Sequence, residues 1–162
     1  MKRAHSIVAA ATLAILAGSA ALAEGGAVRA QDPTSITAAL FDAGIPSKIS
    51  TDNYDDPLVQ FRTNDRQFFI LFYNCTDHAD CTNIQFYARY DTNGDVGLDV
   101  VNAMNNDNRF AYAVIDDEDD VVILMDVLPG ENGLSAADFN TLVDTFVEVV
   151  ADFEDRVGWV PE

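Results

Sequence analysis

Lysine, histidine and cysteine are nearly missing from this chain of 162 residues, which holds two of each. Lys2 and His5 fall in an N-terminal leader, so Lys48 and His78 stand alone in the rest. One histidine leaves general acid–base chemistry to carboxylates and tyrosines. The sequence also has no Gly-x-Ser-x-Gly, no His-Glu-x-x-His, no phosphate-cradling glycine loop and no dinucleotide fingerprint, so no reaction class is marked. No internal repeat or low-complexity tract occurs. Basic residues are scarce too. Without Lys2 and Arg3, seven stand against 27 acids, a net charge of −20. Such a field repels nucleic acid and anionic lipid, which excludes both as partners. The acids, mostly aspartate, are spread along the whole chain. That distribution fits solubility in a saline habitat more readily than one cationic partner.

Residues 1–23 read as a cleavable secretory signal. Lys2 and Arg3 supply the positive start, Ile7–Ala17 the apolar core and Ala21–Ala23 the small-x-small cleavage pattern. The apolar run falls short of the roughly 20 residues a membrane-spanning helix needs. Cleavage after Ala30 is a second option, and no lipobox cysteine is present. The expected organisation is a signal peptide at 1–23, a short flexible N-terminus at 24–32, one domain at 33–156 and a tail at 157–162. Export to the periplasm of a Gram-negative bacterium, or secretion, follows from the leader. No membrane association is expected after cleavage.

The body of the chain reads as helix, four strands, helix, two strands, helix. Asp32, Pro33 and Gly44 cap and bound a first helix with an apolar stripe at Ile36, Ala39, Leu40 and Ala43. Strands follow at Lys48–Asp52 and Leu58–Arg62. Gln67–Tyr73, "QFFILFY", is a continuous apolar run, which predicts a central strand covered on both faces. Ile84–Tyr90 alternates, with Gln85, Tyr87 and Arg89 pointing opposite to Ile84, Phe86, Ala88 and Tyr90. Leu98, Val101 and Met104 or Asn105 mark one side of a short helix. Strands at Arg109–Asp116 and Asp120–Leu128 pair across an acidic turn. Last, Phe139, Leu142, Val143, Phe146, Val147, Val150 and Phe153 form a helical stripe behind a capping box at Ser135 and Asp138. The expected class is α+β, an antiparallel sheet of about six strands with three helices packed on it.

Cys75 and Cys81 flank His78 in the loop between the third and fourth strands. An even cysteine count in an oxidising compartment favours a structural disulfide. The alternatives are a zinc site using Cys75, His78 and Cys81 with Asp77 or Asp80, and a redox-active pair. The spacing is unusual for zinc, and the two-residue redox spacing is absent. Asp91, Asn93 and Asp95 imitate the start of a calcium loop, but Val96 replaces the required glycine and Asn102 the bidentate glutamate. Asp116–Asp120 reads as a solvated hairpin turn. Asn102 and Asn105 sit where helices disfavour asparagine, so their amides are expected either to tie the helix to the next strand or to contact a ligand or partner.

Several of these stretches together resemble the YbjN domain family, described as putative bacterial sensory transduction regulators. The likeness runs through the opening helix ending at Gly44, "NCTDHADCTNIQFYARY", "VNAMNNDNRFAYAVIDDEDDVVILMDV" and the closing helix, roughly Pro33 to Asp155. Met104 stands where the family often has tryptophan, and Pro129–Gly133 where it often has paired glycines. The resemblance implies a curved sheet and helices like type III secretion chaperones, with dimerisation and capture of segments of other proteins. It supplies no catalytic residue and no cofactor. The expected function is therefore a non-catalytic, exported interaction or regulatory module with a protein or peptide partner, homodimeric, with Asn102, Asn105 and Arg109 as contact candidates. The alternative is a metal- or redox-responsive protein acting through Cys75, His78 and Cys81.

Overall fold

The structure, a computed structural model, describes residues 27–160; the signal-peptide reading of residues 1–23 lies outside them. Helix α1 (Pro33–Asp42) precedes strands β1 (Ser47–Thr51), β2 (Pro57–Thr63), β3 (Arg66–Tyr73) and β4 (Asn83–Tyr90). Helix α2 (Leu98–Asp107), strands β5 (Tyr112–Ile115) and β6 (Val121–Val127) and helix α3 (Ala136–Val157) complete the order expected from the pattern. All pairings are antiparallel, in one six-stranded sheet ordered β1-β2-β3-β4-β6-β5.

Local chemistry accounts for the element ends. The Asp32 carboxylate accepts the Thr34 N–H at 3.1 Å, Pro33 opens α1, and Gly44 takes the left-handed turn after it with φ 76°. Ser135 accepts the Asp138 N–H at 3.0 Å at the head of α3, and Gly158 closes that helix at φ 68°. The β2–β3 hairpin turns on Asn64 and Asp65, at φ 51° and 62°, a pair tolerated in left-handed geometry because short polar side chains bond locally.

The core lies between the sheet and the helices. Phe61, Phe68 and Phe86 project from β2, β3 and β4 towards Phe139 and Phe146 of α3. Ring centroids lie 5.9 Å apart for Phe68–Phe146 and 5.4 Å for Phe86–Phe146. Each such ring, fully removed from water, contributes about 2–3 kcal/mol. Ile36, Ala39 and Leu40 of α1 and Val101 and Met104 of α2 join the same cluster, so all three helices serve one face. Leu98, expected on that side of α2, is exposed instead.

Two expectations change here. The run Gln67–Tyr73 is not covered on both faces. Phe68, Ile70 and Phe72 are buried, whereas Phe69 and Leu71 are half-buried and Gln67 and Tyr73 exposed, because among the described residues no helix packs on the second face. The stretch expected as a flexible N-terminus at 24–32 is docked from residue 27 on. Val28 exchanges two backbone hydrogen bonds with Leu134, at 2.8 and 2.9 Å, and Val28 and Ala30 are buried. Gly133 permits the approach: a Cβ there would meet the Val28 carbonyl oxygen at 2.6 Å. At the other margin, Trp159 packs edge-on against Tyr90, centroids 5.1 Å apart, so the tail begins beyond it.

Candidate interaction surface

Strand alternation sends every second side chain away from the helices, and the register lines these up in rows. The central row crosses all six strands as Lys48, Gln60, Phe69, Tyr87, Leu124 and Tyr112. Beside it run Leu58, Leu71, Gln85 and Asp126 on one side, and Arg62, Gln67, Arg89, Val122 and Val114 on the other. The middle of this open face is aromatic and aliphatic. Phe69 and Tyr87 meet edge to face at 6.2 Å, a geometry that favours ring pairs.

Polar groups frame the two ends. At one, the Tyr73 hydroxyl donates to Gln85 Oε1 at 3.1 Å, and Gln85 Nε2 donates to Asp126 Oδ1 at 2.7 Å. The Tyr112 hydroxyl completes the frame, donating to Asp126 Oδ2 at 3.0 Å. A shallow cavity of about 530 Å³ opens there, lined by Tyr73, Asn83, Gln85, Asp126 and Leu128. At the other end Arg89 pairs with Asp116, Glu118 and Asp120 of the acidic turn. That turn is therefore not simply solvated: one guanidinium gathers three of its carboxylates, and Asp120 also accepts the Thr92 N–H at 3.0 Å. Burial raises the Tyr87 phenol above its ordinary pKa; burial, then the Asp126 carboxylate, do the same to Tyr73 and Tyr112. The Tyr73 and Tyr112 hydroxyls therefore keep the protons they donate to Gln85 and Asp126 at physiological pH.

The residues singled out from sequence sit elsewhere. Cys75 and Cys81 form a disulfide, and with both sulfurs oxidised they supply no thiolate to a metal. His78 turns the loop at φ 61°, and its Nδ1 lies 3.0 Å from Asp56 Oδ1, tying the loop to the β1–β2 connection. Asn105 gives its whole amide to β5: Nδ2 donates to the Ala113 carbonyl at 2.9 Å and Oδ1 accepts the Ala113 N–H at 2.7 Å. Asn102 points to solvent without such a tie, and exposed Arg109 lines a cavity of about 410 Å³ with Asp107, Phe110 and Glu148. None of Asn102, Asn105 and Arg109 reaches the open face. Sequence reasoning passed over Phe69, Tyr87, Leu124 and Tyr112 there. The alternation around Tyr87 carries the signal, but the second cover expected over Gln67–Tyr73 hides the face it points to.

Among the described residues, no group of three or more His, Cys, Asp or Glu side chains is placed to hold a metal, and no helix is long and apolar enough to cross a membrane. The arrangement defines an α+β domain whose helices cover one face of an antiparallel sheet. The chain belongs to the YbjN family, described as putative bacterial sensory transduction regulator, whose model matches residues 32–159. A comparison with curated proteins finds no match.

Proposed function

We propose that this protein is a non-catalytic regulatory module that docks another polypeptide on the open face of its sheet. One observation carries the reading: the row Phe69–Tyr87–Leu124–Tyr112 is apolar across four strands, yet among the described residues no layer covers it. A sheet that is apolar on both faces is complete only with a second layer. Charge narrows the occupant. The row is uncharged apart from Lys48 at its margin, while the whole chain stands at −18. The partner is therefore a polypeptide with apolar side chains and no acidic excess. Tyrosine hydroxyls and Gln85 at the rim set its orientation. Membership of a family described as regulatory rather than catalytic supports the same reading.

Export belongs to this proposal through the leader in the sequence. Signal cleavage after Ala23 retains the Val28–Leu134 pairing, whereas cleavage after Ala30 removes it together with two buried side chains. The docked segment therefore supports cleavage after Ala23 over cleavage after Ala30.

The test is a photo-crosslinking residue at Tyr87, expressed in the host cell, with Asp144 on the outer side of α3 as the control position. A discrete adduct with another polypeptide from Tyr87 and none from Asp144 is expected. No adduct from Tyr87, or equal adducts from both, sinks the proposal. An adduct of twice the chain mass instead makes the open face a contact between copies.

A further inference from the structure

The hydrogen bonds at the Asp126 end of the open face use up donors and leave acceptors. Tyr73 gives its hydroxyl proton to Gln85 Oε1, Gln85 gives an amide proton to Asp126 Oδ1, and Tyr112 gives its hydroxyl proton to Asp126 Oδ2. The three bonds link β3, β4, β6 and β5 and hold the carboxylate from both sides. Within this frame one amide N–H is left over. Against it stand a second lone pair on each carboxylate oxygen, lone pairs on both phenol oxygens and one on Gln85 Oε1. Asp126 is also the one acid among the strand residues that face away from the helices. Among the described residues no cationic side chain pairs with it, since Arg66, Arg89 and Arg156 are engaged with other carboxylates. The cavity of about 530 Å³ opens onto this carboxylate.

We infer that this cavity is a binding site for an aliphatic ammonium or guanidinium group. The head group donates to the free lone pairs of Asp126, charge-assisted hydrogen bonds that the fixed carboxylate is already oriented to accept. Tyr73, 43% exposed, and Leu128, 73% exposed, flank the cavity as apolar walls for the methylene stem. The Tyr73 ring adds an attraction for a cation passing over its face. The acidity of the chain attracts cations in general, but at physiological ionic strength that field is screened beyond about 8 Å. Charge alone therefore does not favour Asp126 over the other acids, and the frame that orients it does. The same chemistry has two sources. One is a free aliphatic amine. The other is a lysine or arginine side chain of a polypeptide on the open face, which rests on the docking proposal.

Two titrations of the purified chain test this, one with butane-1,4-diamine and one with Nα-acetyl-lysine methylamide, followed by NMR of the tyrosine ring resonances. Saturable shifts of Tyr73 and Tyr112 are expected for at least one probe, with a dissociation constant of about 1 mM or lower. Asp126→Asn should raise that constant about tenfold, whereas Asp144→Asn, the same charge change at an exposed position of α3, should leave it unchanged. If Asp126→Asn does not fold, Leu128→Lys decides: at so exposed a position it supplies a tethered ammonium to the cavity and should abolish binding. Shifts that do not saturate, or equal weakening by Asp126→Asn and Asp144→Asn, overturn the assignment. So does binding indifferent to Leu128→Lys. Tighter binding of the diamine assigns the site to a free amine. Tighter binding of the capped lysine assigns it to a basic side chain, and Asp126→Asn then also lowers crosslinking from Tyr87. The titrations do not depend on that crosslinking, so the cation site and the docking face fail separately.

Discussion

Replacing Arg66 by methionine removes the partner of the most deeply buried carboxylate in the described fold. The Glu154 side chain is 2% exposed and that of Arg66 24%. Arg66 Nε donates to both carboxylate oxygens, at 2.7 and 2.5 Å, and the Tyr90 hydroxyl donates to Oε1 at 2.7 Å. Breaking a buried ion pair from one side costs about 3–5 kcal/mol, because the remaining charge stays out of water. Arg66 lies near the surface, so water reaches the gap and the lower end, about 3 kcal/mol, applies. For a domain of this size that corresponds to a fall in Tm of about 10 °C. Glu154→Gln is milder, about 1–2 kcal/mol, since the amide oxygen still accepts from Tyr90 and the freed guanidinium turns to solvent. The double variant leaves neither charge and loses less than the sum of the two singles by at least about 1 kcal/mol. Urea denaturation followed by Trp159 fluorescence reads all three, since Trp159 packs on Tyr90. A loss below about 1 kcal/mol for Arg66→Met, or strict additivity in the double, refutes the reasoning.

Two further outcomes concern the staple and the tyrosines. Cys75→Ser/Cys81→Ser should lower stability by about 2 kcal/mol through loss of a loop closed over a sequence separation of 6, and a reductant should lower the native Tm equally while leaving the variant unchanged. A native Tm indifferent to reductant contradicts this. Burial, and then the hydrogen bond to Glu154, raise the Tyr90 phenol; Tyr73, Tyr87 and Tyr112 are raised as well, burial again leading. The folded state thus holds protons that the unfolded chain releases above about pH 10. Their stabilisation is complete below that pH and is lost as pH climbs beyond it. Phenolate absorbance should appear at higher pH in the native protein than in urea, and coincident titrations count against the raised values.

The sequence by itself determined the element order, because each signal in it is local. Asp32, Pro33 and Gly44 bound α1 through groups within a few residues, and the stripe from Phe139 to Phe153 names the buried side of α3 without reference to any partner. Family membership was legible from stretches quoted along the chain, and the pairing of Cys75 with Cys81 from a count of two cysteines behind an export leader. What lay beyond reach depends on which elements meet. "QFFILFY" reads alike whether helices cover one face or two, and only the placement of α1, α2 and α3 on a single side left Phe69 and Leu71 half in water. The strand order set β4 against β6, which brought Tyr87 and Leu124 into one row with Tyr112. It also made β1 and β5 the edges. Asn105 was open between a tie to the next strand and a partner contact; with β5 beside it, the tie holds, and its amide closes the N–H and C=O of Ala113. Glu154 read as one more acid on a helix, and it is buried because Arg66, 88 residues away in the chain, folds back to meet it.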